Sequence, residues 1–232
     1  MMPAEMARVA ALQAPLLCFD TCTVLDIMRD PTRETARAHE SQAALDLLAA
    51  IESGTKLIAL MADQVGFEFG ENAKAVEEEA TKSLKKLRDQ LARIDAVAAV
   101  FGGVGQTSVR HLDDHTARAR AIVDRWMAAA TPAKQQPDIA SRAFVRLNQA
   151  RTPAQKGKDS MKDCVVIETY LDIVAKLRSA GLTAKAVFVS SNTADYTGET
   201  RKTLKSDLAA EFAVLGMEYA PNLAAAKHFL GV

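Results

Sequence analysis

Neither sign of charge dominates this sequence. Lys plus Arg and Asp plus Glu number 29 each over 232 residues. No global field attracts nucleic acid, so any basic binding surface must be a local patch. Cysteine is scarce: Cys18, Cys22 and Cys164 are an odd number without CxxC spacing. That argues against a disulfide framework and for a reducing compartment. No apolar run is long enough to span a bilayer. Residues 1–14 carry an acid, Glu5, and lack a charged segment followed by a continuous apolar core, so no signal peptide is expected and the location reads as cytoplasmic. There is no internal repeat and no low-complexity tract. Gly102-Gly103-Val104-Gly105 has no following Gly-Lys-[Ser/Thr] and no preceding strand, so it reads as a helix terminator rather than a phosphate loop. His111 and His115 stand at i,i+4 without the glutamate of a zinc-protease helix. A solvated face is their plainer reading.

What is present is ordinary for a single soluble domain: 49% hydrophobic and 25% charged residues. Residues 1–14 read as a short helix or a tail, ended by Pro15. Leu16–Phe19 is an apolar strand closed by Asp20. A helix over 36–51 carries Ala43, Ala44, Leu47, Leu48 and Ile51 at helical spacing. A second strand spans 56–61 and is followed by Val65-Gly66-Phe67-Glu68. Residues 72–100 form one long charged helix with a narrow stripe of Val76, Leu84, Leu87, Leu91, Ile94 and Val97. A second helix, roughly 111–130, completes a helical hairpin. Residues 131–136 read as a polar loop, 138–149 as a short helix and 151–158 as a basic exposed segment. The last third alternates again: a helix over 160–180, a strand over 186–190, a helix over 199–212, a strand over 217–219 and a final helix opened by Pro221. Strands alternating with helices imply a parallel, right-handed α/β sheet.

In such sheets ligands bind beyond the carboxyl ends of the strands. Four acids fall there: Asp20 after the first strand, Glu68 shortly after the second, Asp163 in the first turn of a helix, and Asp195 after the third clear strand. Converging carboxylates repel one another unless cations neutralise them. Hard divalent ions prefer oxygen ligands and promote displacement at phosphorus. Each acid also has a bland reading. Asp20 can be satisfied by backbone amides, Glu68 can be a solvated helix-start residue, and Asp195 can cap the next helix. Ser160-Met161-Lys162-Asp163 has the form of a capping box. The segment Asp20-Thr21-Cys22-Thr23-Val24 approaches a phosphatase pattern of two acids two residues apart. Cys22 takes the second acid's place, so that reading fails. A structural zinc held by the three cysteines is less expected than three buried packing residues. The basic run Arg201, Lys202, Lys205 can hold phosphates near Asp195, or be a solvated helix face.

The segments LLCFDTCTVLD, VGFEF, KDSMKDCVVIETYL and VFVSSNTADY resemble the PIN-domain fold of ribonucleases, in particular a larger bacterial PIN-like branch. The resemblance covers roughly residues 15–70 and 156–230 and leaves out the helical middle. SSNTADY after an apolar strand is its strongest motif, and VGFEF its weakest. It implies one three-layer α/β PIN-like domain over 1–232, with a parallel central sheet and a helical hairpin inserted at about 72–130. It implies a metal-dependent endoribonuclease using Mg²⁺ or Mn²⁺, with Asp20, Glu68, Asp163 and Asp195 as the family's four acids. Thr21, Ser191 and Asn192 would lie against substrate or orient water, with Arg201 and Lys202 on phosphates. RNA is the implied partner, with an antitoxin-like protein or a second copy as further candidates. One departure stands out: Asp20-Thr21-Cys22 replaces the family's Asp-Thr-Asn. The rival reading is a catalytically degenerate PIN-like scaffold that uses the hairpin for protein interaction. Glu168, on the same helix as Asp163, is a second-tier candidate.

Overall fold

Leu16–Phe19 forms β1, and all four of its side chains are buried. In the computed structural model, which describes residues 3–155, 157–198 and 203–232, β1 is the middle strand of a five-stranded sheet. It lies between β2 (Ile58–Ala62) and β4 (Ala186–Val189). β3 (Thr131–Ala133) is outside β2 and β5 (Met217–Ala220) outside β4. Every pairing is parallel. Strands covered on both faces read as continuous apolar runs, which is why LLCF and AVFV show no polar alternation. The chain lays β1, β2 and β3 outward in one direction, then returns to lay β4 and β5 on the other side of β1. Winding therefore reverses between β1 and β4, and the carboxyl ends of strands at such a reversal border a crevice.

The helices are α1 (Pro3–Leu12), α2 (Thr21–Met28), α3 (Ala38–Glu52), α4 (Asp63–Val100), α5 (His115–Ala129), α6 (Ile139–Asn148), α7 (Met161–Ser179), α8 (Thr193–Tyr196), α9 (Ser206–Leu215) and α10 (Leu223–Leu230). They cover the two faces of the sheet, giving a three-layer α/β arrangement. On one face Phe19 of β1 meets Trp126 of α5 edge-on, with ring centroids 5.9 Å apart. Trp126 in turn donates its indole N–H to the Ala44 carbonyl of α3 at 3.2 Å. Toward the other face, Phe188 of β4 packs against Tyr170 of α7 and Phe212 of α9.

Tyr170 fixes α7 to the strand ends. Its hydroxyl donates to the Phe19 carbonyl at 2.7 Å and accepts from the Ala62 amide at 3.1 Å. All three groups are buried, so the pairing cannot be replaced by water. Asp163 stands about two turns toward the N-terminus of the same helix, on nearly the same face. The tyrosine therefore holds that acid at the carboxyl edge of the sheet. Tyr170→Phe is expected to cost about 1–3 kcal/mol in urea unfolding, because a buried amide and a carbonyl lose their partner. An unchanged midpoint would show that the hydroxyl anchors nothing.

Several elements differ from the sequence reading. α4 starts at Asp63 rather than 72, directly from β2 with Ala62 as its N-cap. Gly66 and Gly70 each disfavour a helix by about 1 kcal/mol, which hides its start in the sequence. Packing overrides them here: Val65 is fully buried, and Phe69 lies under the Arg120 guanidinium, 5.4 Å from its ring centroid. The segment read as a loop over 131–136 contains β3. Its Pro132 is tolerated because β3 is an edge strand, where a missing N–H breaks no ladder. The helix read from 111 begins at His115, after a separate 3-10 turn at Arg110–Leu112. α10 begins after Pro221, with the Asn222 side chain accepting from the Ala225 amide at 2.8 Å. α9 covers Ser206–Leu215, and residues 199–202 of the helix expected there lie outside the described residues.

α4 and α5 pack antiparallel, joined by Arg88–Asp113 at 2.7 Å and Arg120–Glu77 at 3.4 Å. Both also pack on α2, and Val123 and Trp126 of α5 belong to the main core. The outer end of α4 leaves Ile94, Val97, Val100 and the following Phe101 exposed. Among the described residues, no helix is long and apolar enough to cross a membrane.

Candidate active site

Asp20 follows β1 and is the N-cap of α2. Its amide continues the ladder by donating to the Val189 carbonyl at 3.0 Å. Since Phe19 pairs with Val189, the next residues along, Asp20 and Ser190, come side by side. The Ser190 hydroxyl donates to Asp20 Oδ2 at 2.7 Å, and the Thr21 amide donates to Oδ1 at 2.7 Å. Burial pushes the Asp20 carboxyl above its usual range. Ser190, Cys22 and Thr21 oppose that shift as donors, and the charge of Glu68 adds to it.

Cys22 donates to Asp20 Oδ2 at 3.3 Å. Burial, and after it the Asp20 charge, pushes its thiol up to about 12. It stays a thiol and a donor. The departure from Asp-Thr-Asn thus keeps a hydrogen-bond donor beside Asp20. The other two cysteines do not join it: Cys18 lies inside β1 and Cys164 in a small separate cluster with Ile139 and Ala143. All three thiols are free.

Glu68 sits in the second turn of α4. Its Oε2 accepts from the Thr21 hydroxyl at 2.9 Å and its Oε1 from the Gln64 amide at 3.0 Å. Thr21, expected to face substrate, therefore bridges the first two acids.

Asp163 lies in the first turn of α7. The capping-box alternative does not hold, because the Ser160 side chain makes no cap. The Ser160 hydroxyl instead accepts from the Gln155 amide at 3.3 Å. Burial raises the Asp163 carboxyl from the usual 3.8 to about 7. The charges of Asp20 and Asp195 add to this, Lys158 opposes it, and Glu68 adds again.

Asp195 stands in the single turn of α8 and is only 2% exposed. Gln155 donates to its Oδ1 at 2.8 Å. Both Asn192 and the Lys158 ammonium donate to its Oδ2, while Lys205 donates to its backbone carbonyl at 2.9 Å. All four acids are thus at one edge of the sheet and act on one another's charge. Asn192 orients Asp195. Ser191 turns its amide to the Thr23 hydroxyl at 3.3 Å. Arg201 and Lys202 lie outside the described residues.

The sequence reading passed over Ser190, Gln155 and Lys158. Ser190 was legible as the polar residue ending AVFVS. Nothing local marks Gln155 or Lys158, whose partner is some forty positions away. Glu168 faces away from the site, held by Arg146 at 2.7 Å and Arg142 at 2.9 Å.

Beside the acids, across Thr23 and Ser191, opens a cavity of about 570 Å³ whose lining includes Arg29, Arg33 and Arg37 and, balancing them, Asp26, Asp30 and Glu40. Asp26 pairs with Arg29 at 2.8 Å and Arg33 at 3.5 Å.

Carboxylate oxygens gathered in a buried crevice are the donor chemistry of a hard divalent ion. Among the described residues, no three His, Cys, Asp or Glu side chains are grouped closely enough to grip such an ion as they stand. The Lys158 ammonium lies on Asp195 instead. The donor set fits a divalent ion in kind, and its present spacing is that of acids gathered around a lysine.

A family model described as PIN domain matches residues 17–196, from within β1 to the end of α8. No curated protein and no solved structure matches the chain.

Proposed function

Because the chain belongs to the PIN-domain family, a nuclease-type fold, we propose that it is a metal-dependent endoribonuclease. The observation that carries this reading is geometric: Asp20 at the end of β1, Glu68 tied to it through the Thr21 hydroxyl, and Asp163 and Asp195 beside them bring four acids to one edge of the sheet, where burial and the neighbouring charges raise the Asp163 carboxyl. Asp20, Glu68, Asp163 and Asp195 would hold Mg²⁺ or Mn²⁺. Such an ion, when bound, acidifies water and stabilises charge developing at phosphorus.

The chain's own residues do the positioning. Ser190, Thr21 and Cys22 fix the Asp20 carboxylate. The Thr21 hydroxyl holds Glu68 against it. Gln155 and Asn192 aim Asp195. The outer-shell donors that orient a ligand matter nearly as much as the ligand itself. The cavity beyond Ser191, where Arg29, Arg33 and Arg37 are matched by Asp26, Asp30 and Glu40, would offer its guanidinium groups to a phosphate backbone, with Arg201 and Lys202 as further phosphate contacts. Local placement of these cations suits a chain with no net charge, since phosphate contacts supply most nonspecific affinity. The three free thiols support a reducing, cytoplasmic setting.

The test is cleavage of labelled RNA and DNA in Mn²⁺ by wild type and by Asp195→Asn. Wild type is expected to cut RNA, and the variant to be slower by at least about 100-fold. Equal cutting by both would remove the site assignment. No cutting by wild type would favour the interaction scaffold.

A further inference from the structure

Resting on that reading of the acids as a divalent-ion site, we propose that Lys158 is an internal cation which occupies the site and must be displaced before the ion can bind.

The geometry is that of a counter-ion. Asp195 is almost fully buried, and the Lys158 ammonium makes an ion pair with its Oδ2. Asp163 and Asp20 also lie within the field of that ammonium. Burying several carboxylates together is costly without a compensating charge, and the lysine supplies one. With the lysine on Asp195, no three acids are grouped at ligand distance among the described residues.

The lysine is built to leave. The Lys158 side chain is 44% exposed whereas that of Asp195 is 3% exposed, so the anchor is fixed and the cation is at the surface. Gly157 precedes it with φ +81, and a Cβ there would meet nothing within 4 Å. The backbone thus has a conformationally permissive residue next to the lysine, with open space around it. Upstream the loop is held firmly. Thr152 donates to both Asp207 oxygens, at 2.6 and 2.7 Å. When Lys158 departs, Asp195 keeps Gln155 and Asn192 as donors, so its orientation survives. A released ammonium at the rim is then placed for a substrate phosphate. The site is therefore expected to bind cations by exchange, and to favour doubly charged ions over singly charged ones.

The test is calorimetric titration of Mn²⁺ into wild type, Lys158→Met and Lys158→Arg, without RNA, with melting temperatures in EDTA and in Mn²⁺. Lys158→Met is expected to bind Mn²⁺ at least about tenfold more tightly than wild type, removing a competitor of the kind that costs apparent affinity. Lys158→Arg, whose planar fork grips carboxylates with two donors, is expected to bind it more weakly. In EDTA, Lys158→Met is expected to melt below wild type, and in Mn²⁺ to gain more than wild type does. A purely structural lysine would lower both melting temperatures alike. Equal or weaker Mn²⁺ binding by Lys158→Met overturns the proposal while leaving the metal site standing. No Mn²⁺ binding by any of the three proteins overturns both.

Discussion

Arg146→Ala is expected to destabilise the fold by about 3–5 kcal/mol, the usual cost of removing one member of a buried charge network. Arg146 is 1% exposed, an unusual state for an arginine. Its guanidinium donates to Glu168 at 2.7 Å, to both Glu211 oxygens at 2.8 Å and to the Thr152 carbonyl at 2.6 Å. One side chain thus joins α6, α7, α9 and the loop that carries Gln155 and Lys158. Alanine would leave Glu168 with Arg142 as its remaining partner, and Glu211 with Arg151. It would also open a cavity the size of the lost side chain. Guanidinium chloride unfolding measures the loss directly. Replacing the charges together, as Arg146→Met with Glu168→Leu and Glu211→Leu, is expected to recover a large part of it, because apolar residues of similar volume need no counter-charge. Destabilisation below about 1 kcal/mol by Arg146→Ala would mean that the network is not a keystone. The same network explains why Glu168 takes no part in the site.

Asp163→Asn is expected to stabilise the metal-free protein while removing its affinity for Mn²⁺. The Asp163 carboxyl is raised from the usual 3.8 to about 7 in the folded state, first by burial and then by Asp20 and Asp195. The folded protein therefore holds a proton that the unfolded chain has released between these two values. Stability then falls as pH rises from about 4 to about 7, and the full penalty remains above 7. A shift of this size corresponds to roughly 4 kcal/mol. Asp20, also raised by burial, contributes in the same direction. Asparagine cannot ionise, so the Asp163→Asn profile in EDTA is expected to be much flatter, and the variant to melt higher than wild type at pH 8. With Mn²⁺ present the order is expected to reverse, because a ligand that binds only the folded state stabilises it. A wild-type protein whose stability rises from pH 4 to 7 in EDTA would show that Asp163 is not a repelled acid.

The sequence carried the ends of the site well and its middle poorly. Leu16–Phe19 and Asp20 were legible because a buried parallel strand is an unbroken apolar run and its terminating acid is conspicuous. Ala186–Val189 was legible for the same reason, and Asp195 as the acid in the short polar segment that follows it. Glu68 was legible as an acid shortly after the second strand, but the long helix was started only at 72, because Gly66 and Gly70 disguise the start of a helix that tertiary packing enforces. β3 was missed because three residues, one of them proline, carry no period. Lys158 was read only as part of an exposed basic stretch. Its meeting with Asp195 depends on how α6 and α7 close the loop between them. That closure rests on the buried Arg146, and no local pattern announces a buried arginine.

Four carboxylates from distant parts of the chain are proposed to make one divalent-ion site. Mn²⁺ calorimetry on wild type, Asp20→Asn and Asp163→Asn, without nucleic acid, tests it most directly. Wild type is expected to take up the ion, and both variants to lose at least about tenfold in affinity. A wild-type protein indifferent to millimolar Mn²⁺, or variants that bind it as tightly as wild type, would contradict the account.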